Sequence, residues 1–120
     1  MPSALIIGAS SSLGKNLVTD FIDSGYDVLA SYSNNQAGLV KSKKVTPIHL
    51  NLNSNDSILK FSSTVLKNGW NFDVCIFLAG ILPGNNLQQY EFNEIDKVLA
   101  INFSGFSKVF KSIEPKFNIN

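Results

Sequence analysis

The chain contains no arginine, one cysteine, one histidine and no apolar run that approaches the ~20 residues needed to cross a bilayer. Each scarcity removes a class of function. A lone Cys75 excludes an internal disulfide, and neither it nor His49 has partners at metal-ligand spacing, which argues against zinc. Both are read as core residues of strands. Without arginine there is no guanidinium fork for bidentate capture of phosphate or carboxylate. Ten lysines against nine carboxylates leave a formal charge of +1, so no global field draws the protein to nucleic acid or to an anionic membrane. The amino end lacks a basic segment followed by a long apolar stretch, so secretion and membrane insertion lack support. A cytoplasmic location is the expectation.

What is present is enough apolar material for one domain: 44% of 120 residues are hydrophobic. The apolar spacing alternates between short runs and helical stretches. Ala4 to Ile7 reads as a strand, and Leu13, Leu17, Val18, Phe21 and Ile22 recur at helical spacing until Ser24-Gly25. Asp27 to Tyr32 and Val45 to Leu50 read as two further strands, and the polar stretch between them, Ser33 to Lys44, has room for only a short helix. Ser54 and Asp56 open a helix carrying Ile58, Phe61, Val65 and Leu66, which Asn68-Gly69 closes. Phe72 to Ala79 shows no alternation, the mark of a parallel strand covered on both faces. After a turn-rich Gly80 to Asn86, a long helix is expected from about Glu91 to Glu114. Its stripe is Ile95, Val98, Leu99, Asn102, Phe106, Val109, Phe110 and Ile113, and Pro115 stops it.

This order predicts an α/β fold in one domain over residues 1–120, a Rossmann-like, doubly wound parallel sheet in three αβα layers. About four strands in the order 3-2-1-4 are expected, a partial sheet whose very apolar fourth strand lies on an edge. That arrangement resembles the first half of a larger fold.

The chemistry concentrates where the first strand meets the first helix. Gly8-Ala9-Ser10-Ser11-Ser12-Leu13-Gly14 is a turn of small residues between them, and such a turn exposes backbone N–H groups at the positive end of a helix, as a pyrophosphate grip requires. A P-loop is a poor fit: Gly8 is one residue too far from Gly14-Lys15, and Asn16 replaces the hydroxyl that would hold Mg²⁺. A plain strand-to-helix turn without a ligand is the other alternative.

With these residues placed, the chain resembles the short-chain dehydrogenase/reductase family, whose turn reads Thr-Gly-x-x-x-Gly-x-Gly. Gly8 and Gly14 match its first and last glycines, Ile7 stands where Thr is usual, and Ser12 stands at the middle glycine. The resemblance implies a dinucleotide cofactor held by Gly8 to Gly14. It implies an adenine contact at Asn51-Leu52, where the family often has Asp and an apolar residue; a turn-forming role for Asn51 is the alternative. Ala79-Gly80 correspond to the end of the family's Asn-Asn-Ala-Gly and imply close approach to the nicotinamide-side ribose. Asp96 to Phe106 resembles the family's long helix, so Asn102 would be the asparagine of the catalytic tetrad, bending the helix and holding a water through its backbone. Its place on the apolar stripe predicts a buried side chain.

Cofactor choice is read at the end of the second strand, where an acid would select NAD. Ser31, Tyr32, Ser33 and Asn34 offer none, so NADP is expected, with Ser33 and Asn34 as neutral donors and NAD still possible. Lys41, Lys43 and Lys44 are read as a solvated loop that could also reach a 2′-phosphate. The family's Tyr-x-x-x-Lys pair is not found: Tyr26, Tyr32 and Tyr90 are followed four residues later by Ala30, Gln36 and Glu94. The resemblance therefore covers the cofactor half of the family's domain. It implies a truncated or partial NAD(P)-dependent oxidoreductase acting on a small carbonyl or alcohol substrate, with a homo-oligomer possible through the long helix. A non-catalytic dinucleotide-binding or regulatory module, or an inactive remnant, is the alternative.

Overall fold

A run such as Ala4-Leu5-Ile6-Ile7, with no polar interruption, needs cover on both faces. In the computed structural model, which describes residues 2–78, 96 and 99–118, all four side chains are buried inside a parallel sheet. The strands are β1 (Ser3–Ile7), β2 (Asp27–Tyr32), β3 (Val45–His49) and β4 (Val74–Phe77), in the expected spatial order β3-β2-β1-β4. Register is set by pairs such as Ala4 with Val28 on one side and Ala4 with Val74 on the other. Val28 in turn pairs with Val45.

Alternate residues of the strands feed two cores. Ala4, Ile6, Val28, Ala30 and Val45 pack with Val18 of α1 (Ser12–Asp23) and with Leu39 of the β2–β3 connection. Leu5, Ile7 and Leu29 pack on the opposite face with Ile58, Phe61 and Val65 of α2 (Asn55–Lys67) and with Val109 and Ile113 of α3 (Phe106–Ile113). This is the three-layer arrangement read from the sequence.

The helices start where short polar side chains take up orphan amides. Ser11 accepts from the Gly14 N–H at 3.0 Å to open α1, and Ser54 accepts from the Ser57 N–H at 3.2 Å to open α2. Gly25, at φ +91°, lets the chain leave α1 in a left-handed conformation that other residues resist. The β2–β3 connection holds only a three-residue 3₁₀ turn, Gln36–Gly38, where Asn35 Oδ1 accepts from the Ala37 N–H.

Four expectations need correction. The fourth strand is shorter than Phe72 to Ala79 and is half-exposed, because β1 is its only neighbour among the named strands; Phe72 instead bridges to Phe117. Ala79 lies outside the described residues. His49 and Cys75 are exposed, since β3 and β4 are the outer strands and side chains at a sheet margin keep one flank open. The Cys75 thiol is nevertheless partly desolvated and is pushed up to about 11, so it stays protonated at neutral pH. The long helix is described only from residue 99 on, with Asp96 before it. A π-helical turn, Ala100–Gly105, leads into α3, and the chain then passes through a 3₁₀ turn, Glu114–Lys116.

Beyond that π turn the buried line is narrower than expected. The expected stripe holds at Val109 and Ile113, which are buried together with Gly105, but its other described members, Leu99, Asn102, Phe106 and Phe110, are exposed. The face reaching the core is the one four residues apart from Gly105 onward. Along α3, Phe106 packs edge-on against Phe77 at 4.7 Å and Phe110 lies 5.3 Å from Phe117.

Candidate dinucleotide-binding turn

β1 ends its ladder at the point where the backbone must change direction, and Gly8 makes the change at φ +87°. Its carbonyl then accepts from the Ser11 hydroxyl at 3.1 Å, while Ser11 Oγ accepts from the Gly14 N–H. One serine thus ties the two glycines together. From the second strand, Ser31 Oγ accepts the Gly8 N–H and the Ser31 carbonyl accepts the Ala9 N–H, both at 3.0 Å. Among the described residues, the amides of Ser10, Ser12 and Leu13 have no hydrogen-bond partner.

Three solvent-accessible donors at one helix N-terminus, without a protein partner among the described residues, suit an anion. The first turn of α1 carries no acidic residue. Ser12, at the position of the family's middle glycine, sits in ordinary backbone: no residue other than glycine has positive φ among those described. The last glycine is tightly constrained. A Cβ on Gly14 would come within 2.7 Å of the Gly8 carbonyl oxygen and 2.8 Å of two Ala9 backbone atoms. Only glycine lets the helix approach the strand this closely. Leu13, 58% exposed, stands at the mouth of the turn as an apolar surface.

The other expected positions assemble around the carboxyl ends of the strands. The Leu78 N–H bonds to the Ile7 carbonyl at 2.8 Å, so the fourth strand delivers its end beside the start of the turn. Ala79 and Gly80, expected on the nicotinamide side, lie outside the described residues. Ser33 and Asn34 are exposed after β2, and the Ser33 carbonyl accepts from His49 Nε2 at 3.0 Å. Tyr32 meets the His49 ring edge-on at 5.6 Å.

Asn51 is exposed and forms the turn weighed as its alternative role: its Oδ1 accepts from the Asn53 N–H at 3.0 Å and its own N–H bonds to Ser57 Oγ at 2.8 Å. A carbonyl oxygen has two lone pairs, so one acceptor site is left for an adenine amino group. Leu52 is buried behind it. Asn102 lies on the π turn and is exposed, which corrects the buried placement read from the stripe.

Lys43 and Lys44 are not at this site. The Lys44 carbonyl accepts from the Val28 N–H, at the amino end of β2, while the turn lies at the carboxyl end of the sheet. A parallel pairing forces the connection back to the far end before β3 begins, so Lys43 and Lys44 are a strand length from Ser33. Ser31, which in the sequence stands out only as not acidic, joins the site through its bond to Gly8. Its role depends on which strand residue falls beside Gly8, and no local pattern reports that.

A family model described as short chain dehydrogenase matches residues 2–118. The chain is 25% identical over 122 residues to the 3-oxoacyl-[acyl-carrier-protein] reductase FabG of Staphylococcus epidermidis, an alignment covering 95% of this chain and 50% of that one. The structure superposes on a short chain dehydrogenase family protein from Francisella tularensis with a TM-score of 0.87 at 21% identity, covering 99% of this chain and 48% of the other. It superposes on NADPH-bound carbonyl reductase from chicken fatty liver with a TM-score of 0.84 at 18% identity, covering 97% and 48%. The chain spans about half the length of the curated relatives it matches.

Proposed function

Because the chain belongs to the short chain dehydrogenase family, we propose that it forms the cofactor-binding portion of an NAD(P)-dependent oxidoreductase, with NADP as the preferred dinucleotide. The observation that carries this reading is the turn itself: three amides, at Ser10, Ser12 and Leu13, without a partner among the described residues, at an acid-free helix N-terminus closed by Gly14. The residues from Gly8 to Gly14 hold the pyrophosphate. Ser33 and Asn34 meet the adenosine ribose as neutral donors, Asn51 and Leu52 border the adenine, and Ala79 and Gly80 border the nicotinamide-side ribose. Asn102 serves the catalytic group.

The nicotinamide, when bound, supplies hydride transfer to or from a carbonyl or alcohol carbon. The protein's share is to orient the dinucleotide and to exclude competitors. A carbonyl reductase with bound NADPH and a 3-oxoacyl reductase among similar proteins support a carbonyl as the substrate group. Pairing through the long helix into a homo-oligomer and a cytoplasmic location belong to the same reading. No described helix is long and apolar enough to cross a membrane.

Calorimetric titration of the protein with NADPH and NADH tests the reading. Micromolar binding with NADPH ahead is expected, and Ser33→Asp should weaken NADPH by about tenfold while sparing NADH, because a carboxylate repels a 2′-phosphate but accepts from a ribose hydroxyl. A folded protein that binds neither dinucleotide overturns it.

A further inference from the structure

We propose that Ser31 is a positioning residue for the phosphate turn, setting the direction in which the free amides emerge. The β1–β2 ladder ends at the pair Ile6 and Ala30, after which Gly8 turns the chain out of the strand. Two amides then need acceptors that the regular ladder no longer provides, those of Gly8 and Ala9. Ser31 supplies both, Oγ to the first and the main-chain carbonyl to the second, each at 3.0 Å. The turn is thereby pinned to β2 at two successive residues.

The side chain has no other evident reason to be polar. Ser31 is 2% exposed and follows Val28, Leu29 and Ala30 along a strand buried on both faces. A hydroxyl in such a place costs free energy unless it is bonded, and its acceptor role at Gly8 supplies the bond. Alanine would keep the carbonyl bond to Ala9 and lose the Oγ bond to Gly8, leaving that amide free to swing. Because Ser10, Ser12 and Leu13 follow within five residues, a loosened Gly8 spreads their orientations before any ligand arrives, and ordering them again is a cost charged to binding. For its ligand this inference rests on the dinucleotide reading above; its local part does not.

The test compares the protein with Ser31→Ala and Ser31→Thr by NADPH titration well below the melting temperature and by amide hydrogen exchange. In Ser31→Ala the NADPH dissociation constant should rise about fivefold. Exchange should quicken at Gly8 while Leu5 and Leu29, inside the ladder, keep their protection. Ser31→Thr retains a hydroxyl on a strand-compatible side chain and should return the affinity to within about twofold of the parent. Unchanged Gly8 exchange in a folded Ser31→Ala protein overturns the proposal, as does unchanged NADPH affinity. If the parent itself binds no dinucleotide, the functional reading fails, and Gly8 exchange still decides whether Ser31 holds the turn.

Discussion

The first two strand-to-strand crossings are built in opposite ways. Between β1 and β2 the chain makes a 12-residue helix whose start is locked by Gly8, Ser11, Gly14 and Ser31, with a helix-to-strand approach that leaves no room for a methyl group. Between β2 and β3, residues 33–44 contain one 3₁₀ turn, capped by Asn35 and resting on Ser10 through Gly38. On the reading proposed here, the first crossing grips what all dinucleotides share and the second meets the ribose where they differ. Rigid backbone suits the common group, and a solvated loop suits the variable one, because a loop can change residues without disturbing a core.

Adding one methyl group to each crossing is the sharpest way to break this contrast. Gly14→Ala should have the largest effect: the new Cβ meets backbone at 2.7–2.8 Å, which cannot yield without moving the helix. A loss of about 3 kcal/mol is expected, seen as a drop in Tm of roughly 10 °C, together with loss of dinucleotide binding. Next comes Ser11→Ala, which removes the N-cap of α1 and the hydroxyl bond to Gly8; about 1 kcal/mol should disappear from a denaturant titration with no change in m-value. Gly38→Ala should fall within about 0.5 kcal/mol of the parent. Its Cβ would meet the Ser10 Cβ at 3.2 Å, a contact that a shift of tenths of an ångström relieves, and the unfolded chain loses entropy in compensation. If Gly38→Ala proved as damaging as Gly14→Ala in the same melt, the contrast between the crossings would be wrong.

The smallest effect lies away from both, at Asp73. Its carboxylate accepts from the Ser3 N–H at 2.9 Å and from Asn118 Nδ2 at 2.8 Å, and these bonds, the first above all, hold its pKa below the usual value. A carboxyl with a lower pKa in the folded state stabilises the fold above its unfolded pKa, and that contribution is lost as pH falls through the folded pKa. Asp73→Asn should therefore flatten the dependence of Tm on pH below about pH 4 and lower Tm slightly at neutral pH, where the carboxylate's contribution is present, with little difference from the parent in acid.

The same contrast marks how far the sequence could be read. Ala4 to Ile7, the Gly8–Gly14 turn and the α1 periodicity are local signals, and local signals were enough for the strand order and for the place of the turn. Burial at the sheet margins was not local. His49 and Cys75 have the neighbours of core residues in sequence and the neighbours of edge residues in space. Asn102 lies within a π turn, which leaves no mark in an apolar stripe, and it is exposed there although Val109 and Ile113 beyond the turn are buried as their spacing implies. Lys43 and Lys44 lie in a solvated loop as read, but their alternative contact with a 2′-phosphate does not fit, because a parallel strand restarts at the far end. Ser31 was invisible for a related reason: its partner is fixed by register between strands, which only the folded sheet supplies.

The bridge between Phe72 and Phe117 carries a consequence for the order of folding. The β1–α1–β2 unit joins residues close in sequence, whereas the seam at Phe72, with its Asn118 to Asp73 bond, closes a separation of 45 residues. Closing a long loop before its contacts reward it is slow, so the Gly8–Gly14 turn should be assembled early and the seam late. Unfolding runs the other way, and the outer margin of the sheet is where the molecule should first come apart.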